Sequence, residues 1–387
     1  MNSTADPSAP PANRTEGPLA DSHPLVATGQ SRLIQALIGH RPEITPVWFM
    51  RQAGRSLPEY RALRAGGDML EACLSPALAS EITIQPVRRH GVDAAILFSD
   101  IVIPLKLIGV PVEIQAGRGP VFREAITSSA QVSALTRIDP SNMRAEAIID
   151  AVQLTTTALA ELSSERGEPI PLIGFAGAPF TLAAYLVAGG PSKDHMAARR
   201  LMAEDPAAWH ALVEWLAELS GEFLAVQVRA GASAAQLFDS WAGALSPERY
   251  RAHARPAAAA ALRSVRELVP PAISGLDHVP LIHFGVNAGE LLDDMASVGV
   301  DALGVDYRTP LAEARRRITH DVTLQGNLDP AMLFAPAAER ERAISAVLES
   351  GRAARAHVFN LGHGVPAEAD AEVVTSVVRA VHRWRPE

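Results

Sequence analysis

Only one of the 387 residues, Cys73, is a cysteine. The chain therefore builds no intrachain disulfide, no Cys-x-x-Cys redox pair and no thiolate-rich zinc site. A reducing compartment, hence a cytoplasmic location, fits that usage. Positive charge is also short: 35 Lys and Arg against 43 Asp and Glu leave a formal charge of −8. No global field draws in nucleic acid or an anionic membrane surface, so any anionic ligand must be met by a local basic cluster. The dinucleotide fingerprint GxGxxG and the phosphate loop GxxxxGK[ST] are both missing, which removes the usual nucleotide sites. An unbroken apolar span is missing as well. The stretch Pro169–Ser192 carries no charged residue and is long enough to cross a bilayer. It is interrupted by Pro171, Gly174, Gly177, Pro179, Gly189 and Gly190 and reads better as a strand, a turn and the helix Phe180–Val187. Met1 to about Gln30 has no signal-peptide core and little apolar surface, and is expected to be a flexible tail.

What the chain does have is the 48% apolar and 20% charged balance of a soluble globular protein. Short apolar runs recur at Val47–Phe49, Ala94–Phe98, Leu172–Phe175, Ala235–Phe238, Leu281–Phe284, Ala302–Val305, Val322–Gln325 and His357–Asn360, each followed by a turn and a helical pattern. Continuous apolar runs mark strands buried on both faces, and intervening helices make the sheet parallel. Helix starts are marked by a capping residue before proline: Ser75-Pro76, Asp205-Pro206, Ser246-Pro247, Thr309-Pro310 and Asp329-Pro330. Long helical patterns run over Ser141–Arg166 and Asp205–Arg229, and Val110–Val121 forms a hairpin. Eight βα units predict an α/β fold, a closed (β/α)₈ TIM barrel, with an open doubly wound sheet as the alternative. No interior boundary is evident, so 31–387 is expected to be one domain behind a tail at 1–30.

In a barrel the site lies at the carboxyl ends of the strands. There the first run yields Arg51-Gln52-Ala53-Gly54-Arg55, two guanidinium forks around small residues, able either to converge on an anion or to pair with surface acids. Asp100 stands between apolar runs, as a helix cap or a functional carboxylate. Tyr185 is a core residue or a hydroxyl donor. Asp239 and Ser240 are caps or ligand contacts beside an aromatic wall at Trp241. His363 lies between Gly362 and Gly364, which opens its backbone to a ligand.

These segments, with Gly177-Ala178-Pro179-Phe180-Thr181-Leu182, Gln325-Gly326-Asn327-Leu328-Asp329-Pro330 and Asn360-Leu361-Gly362-His363-Gly364, closely resemble the uroporphyrinogen decarboxylase family from about Leu25 to the C-terminus. Two departures are Ser56, where the family usually has Tyr, and a longer N-terminal tail. The resemblance implies a cofactor-free, metal-free barrel enzyme, usually a homodimer, that removes four acetate carboxyls of uroporphyrinogen III to give coproporphyrinogen III in haem and tetrapyrrole synthesis. It implies substrate contacts at Arg51, Gln52, Ala53, Gly54, Arg55, Asp100, Tyr185, Ser240 and His363. Catalysis is expected of Asp100, which stabilises a transient pyrrolium cation, with Arg51 as a candidate proton donor. Arg51, Arg55 and His363 are expected to grip the carboxylates. No nucleic-acid or membrane partner is implied.

Two rivals remain at this point. Corrinoid or thiol methyltransferases share this barrel but bind zinc through a His-x-Cys pair, where this chain reads His283-Phe284-Gly285. A tetrapyrrole carrier without turnover would keep the arginines and have no use for Asp100.

Overall fold

The structure, a computed structural model, describes residues 18–386 apart from residue 65. The strands are β1 (Ala95–Ile96), β2 (Val112–Gln115), β3 (Gly119–Phe122), β4 (Leu172–Gly177), β5 (Ala234–Asp239), β6 (Leu281–Gly285), β7 (Ala302–Gly304), β8 (Thr323–Gln325) and β9 (His357–Val358). Seven of them form a parallel sheet in the order β1-β4-β5-β6-β7-β8-β9, curved as a half-barrel. Register is set by pairs such as Ala95 with Leu172, Ala235 with Leu281 and Leu324 with His357. β2 and β3 make the expected hairpin, which packs over the helix Pro179–Ala188.

The first expected strand is present only as a bridge from Val47 to Phe359. Side chains replace a regular ladder on its other side. Val47 N donates to Asp93 Oδ2 at 2.7 Å, Asp93 N donates to Val47 O at 2.8 Å, and Gln52 joins Phe49 N to Ala94 O, each at 3.0 Å. A segment so held satisfies its backbone without repeating strand geometry.

Helix starts follow the cap-then-proline pattern in part. Asp205 caps Pro206–Ala230 through Ala208 N at 3.0 Å, Ser246 caps Pro247–His253 at 3.4 Å and Asp329 caps Pro330–Phe334 at 2.9 Å. Ser75 makes no such bond, and the helix after Thr309 begins only at Leu311, beyond Pro310. The long pattern from Ser141 resolves into a short turn Pro140–Asn142 and the helix Glu146–Arg166. The uncharged stretch is strand β4 plus the helix Pro179–Ala188, and among the described residues no helix is long and apolar enough to cross a membrane.

Residues 1–17 of the expected tail lie outside the described residues. Residues 18–30, expected with them, pack on the body instead. Leu19 and Leu25 are buried, Leu25–Thr28 is helical, and His23 Nε2 lies 2.6 Å from Val228 O. The buried Leu19 and Leu25 supply apolar area that docks the stretch.

Candidate active site

The Arg51–Arg55 segment follows the Val47 bridge as a turn at its carboxyl end. Met50 anchors it to the last loop: its N–H donates to Asn360 Oδ1 at 3.2 Å, and its carbonyl accepts from Val365 N at 2.9 Å. Arg51 adopts a left-handed φ of 58°, a strained conformation for a residue with a Cβ. Its stem fills the space beside Gly364, where a Cβ would stand 2.5 Å from Arg51 Cδ. Arg51 and Arg55 are exposed, and among the described residues neither guanidinium has a hydrogen-bond partner. Gln52 behaves differently. It is buried with both amide atoms bonded to backbone, so its side chain braces the fold and only its backbone remains for a ligand. Ala53 and Gly54 lie half-buried in the turn.

Asp100 follows β1 at the same end. Its Oδ1 accepts from Val102 N at 3.0 Å, and the residue is half-buried. Burial raises its pKa above the usual carboxylate value, opposed by the Val102 N–H and by the nearby Arg51 charge. Tyr185, half-buried on the helix Pro179–Ala188, lies within electrostatic reach of both. Desolvation first, then Asp100, pushes its hydroxyl up to about 12, so it stays a proton donor at neutral pH. Its ring stacks on Trp241 at 3.9 Å, and His195 stacks on Trp241 at 4.3 Å. The expected aromatic wall is thus a three-ring stack. Ser240, half-buried after β5, has a hydroxyl with no bond among the described residues.

The glycines around His363 serve a purpose the sequence did not disclose. A Cβ at Gly362 would sit 2.1 Å from Tyr307 N, so these glycines admit Tyr307 and Arg51 rather than a ligand. His363 itself is half-buried, and desolvation, with Arg51 and Arg308 adding to it, lowers its pKa. The ring therefore favours the neutral form at pH 7 in the free protein and can meet a carboxylate through a hydrogen bond. Arg51 acts on the charge of Asp100, Tyr185 and His363, and Asp100 on that of Tyr185, so Arg51 ties the four together.

Asp239 is no helix cap. It is fully buried, with Oδ1 accepting from Thr181 Oγ1 at 3.0 Å and Oδ2 lying 3.8 Å from His283 Nε2. Thr181 Oγ1 also accepts from Trp241 N at 3.3 Å, so this pair braces the loop that carries Ser240. His283, where the methyltransferase pattern has a zinc ligand, is turned into the core with Nδ1 3.2 Å from Met295 O. Cys73 is also buried, and desolvation raises its thiol well above the usual range. Asp93, Asp306, Arg308 and His195 were missed by the sequence reading. Each resembles an ordinary loop or turn residue, and only long-range neighbours distinguish it.

With this geometry in place, comparison with known proteins decides the relationship. The uroporphyrinogen decarboxylase family model matches residues 28–384. The chain belongs to this family. It is 59% identical to a uroporphyrinogen decarboxylase of Leifsonia xyli subsp. xyli (strain CTCB07) over 95% of this chain and 98% of that one. It is 53% identical to a uroporphyrinogen decarboxylase of Arthrobacter sp. (strain FB24) over 93% and 99%. Among solved structures, a methyltransferase from Methanosarcina mazei superposes with a TM-score of 0.70 at 17% identity, covering 92% of this chain and 98% of that one. That likeness concerns the fold alone.

Proposed function

We propose that the chain removes the four acetate carboxyls of uroporphyrinogen III as CO₂, giving coproporphyrinogen III in haem and tetrapyrrole synthesis. The observation that carries this reading is the cluster of Asp100, Arg51, Tyr185 and His363 at one end of the sheet of a family member. Loss of CO₂ from a pyrrole acetate would leave a carbanion, so the ring carbon is protonated first. The C–C bond to the carboxylate then breaks, its electron pair neutralises the pyrrolium through an exocyclic methylene, and a second protonation makes the methyl group while the ring proton leaves. Each cycle consumes one proton net. The protonated pyrrole is itself the electron sink, so this chemistry requires no cofactor.

Ionised Asp100 accepts the pyrrole N–H groups and sets a negative charge where positive charge develops. Such preorganised groups contribute about 3–4 kcal/mol to the transition state. Arg51 and Arg55 bind carboxylates, Tyr185, Ser240 and His363 give hydrogen bonds, and Gln52, Ala53 and Gly54 contribute through backbone. Arg51 as a proton donor needs a dry site, because a guanidinium is otherwise a poor acid. Long-range attraction of an anionic substrate is screened beyond about 8 Å, so these contacts act at short range.

The finer architecture belongs to the same proposal: an eight-stranded closed barrel in one domain, on which residues 18–30 pack. The Val47–Asp93 and Gln52 bonds support closure, as does Trp48, whose Nε1 donates to Gln325 Oε1 at 3.0 Å, while Gln325 reaches Gln236 at 2.9 Å. The family resemblance supports a cytoplasmic homodimer, which light scattering at twice the chain mass would verify. Anaerobic incubation with uroporphyrinogen followed by chromatography tests the activity. Hepta-, hexa- and pentacarboxylate intermediates ending in coproporphyrinogen are expected, and unchanged uroporphyrinogen would refute the function.

A further inference from the structure

One more cation stands at the same mouth. Arg308 lies in the loop after β7, next to Tyr307, whose backbone occupies the space left by Gly362 beside His363. Its guanidinium carbon is 4.4 Å from the centre of the Tyr307 ring, and its Nη1 donates to Asp306 Oδ2 at 2.9 Å. The Asp306 side chain is only 2% exposed and also accepts the backbone N–H of Asn287 and, at 3.0 Å, of Arg308. Asn327 Nδ2 donates to the carbonyls of Asp306 at 2.8 Å and Thr309 at 2.6 Å, which fixes the loop from β8. Among the described residues, Nε and Nη2 of Arg308 have no hydrogen-bond partner, and the side chain is 45% exposed.

A surface arginine that only balances charge needs neither a buried aspartate nor a ring beneath it. Here the acid and the ring preset the guanidinium plane and leave one edge of the fork open, the arrangement that receives a planar carboxylate. Tyr307, beside Arg308, packs against Gly362 next to His363, whereas Asp100 follows β1, which β4, β5 and β6 separate from β7 in the sheet. A cation fixed on the reacting acetate would stabilise the carboxylate that must be lost and so oppose cleavage. A rim cation apart from Asp100 suits a carboxylate that stays.

We propose that Arg308 is a carboxylate-binding residue of the cleft rim that holds a propionate of the tetrapyrrole, a group shared by substrate and product. This rests on the decarboxylase reading and extends it to a residue outside the motifs that carry the family resemblance. Anaerobic kinetics on the full chain with Arg308→Ala and Arg308→Lys test it. In Arg308→Ala the KM for uroporphyrinogen rises about tenfold, and the inhibition constant of added coproporphyrinogen rises by the same factor, since the product keeps its propionates. kcat falls less than about threefold, and Arg308→Lys recovers only part of the loss because an ammonium neither stacks nor forks. A raised KM with an unmoved product constant would mean an acetate contact and overturn the propionate assignment. Unmoved constants in a working enzyme would overturn the site alone, whereas absence of decarboxylation in the unmodified chain would overturn the parent reading and this site together.

Discussion

Two aspartates flank strand β1, Asp93 at its amino end and Asp100 at its carboxyl end. Asp93 is saturated: Oδ2 accepts from Val47 N and meets His382 Nε2, both at 2.7 Å, while Oδ1 takes Arg32 at 3.2 Å. Asp100 has one backbone donor and a pKa raised by burial. The arginines divide in the same way. At the amino end Arg32 also pairs with Glu168 at 2.5 Å, and Arg166 donates to the carbonyls of Val87 and Val92 around a cavity of about 440 Å³. At the carboxyl end Arg51 and Arg55 have no hydrogen-bonded acid among the described residues. Satisfied polar groups hold the fold, and unsatisfied ones in a cleft are available to a ligand.

The same substitution at the two ends should therefore act in opposite directions. Asp93→Asn keeps an acceptor for Val47 N but removes one of the two carboxylates on Arg32 and the carboxylate that meets His382 Nε2. It should lower stability by about 3 kcal/mol in denaturant titration, with turnover per folded molecule little changed. Retained stability would remove the structural role given to Asp93. Next in size, Arg55→Ala should raise the KM for uroporphyrinogen about tenfold, since no protein acid competes for that guanidinium. An unchanged KM would place the carboxylates elsewhere.

The smallest effect sharpens the contrast. Because the folded pKa of Asp100 is raised, its stabilising contribution is complete below the ordinary carboxylate pKa and is lost as pH rises through the folded value. Ionisation of Asp100 is thus a burden on the fold. Asp100→Asn should raise stability by on the order of 1 kcal/mol at pH 7, as site-neutralising changes commonly do. That gain should shrink as pH falls toward the carboxylate range in paired thermal melts. A loss of stability at neutral pH would contradict the sign of the burial effect.

Much of this was legible in the residues. Continuous apolar runs marked the strands of the parallel sheet, and Asp100 was visible because apolar runs flank it. The first strand was overestimated because side chains of Asp93 and Gln52 complete its hydrogen bonds, which periodicity does not register. Asp93 itself was hidden: its partners Val47, Arg32 and His382 lie 46, 61 and 289 positions away. The charge of His363 was likewise beyond reach, since it depends on Arg51 and Arg308 arriving from other loops and on how deeply the ring is packed. Gln52 was read as a substrate contact with the rest of the Arg51–Arg55 segment, and the long-range bond of its buried amide to Ala94 O could not be seen from the sequence.

The central claim is that Asp100, left short of partners by the fold, holds the cationic pyrrole during CO₂ loss. Anaerobic turnover of uroporphyrinogen by Asp100→Asn, in protein shown to be folded, tests it most directly. A fall in kcat of about 10²–10³-fold, with binding of substrate kept within an order of magnitude, is the predicted result. Turnover equal to that of the unmodified chain would contradict it.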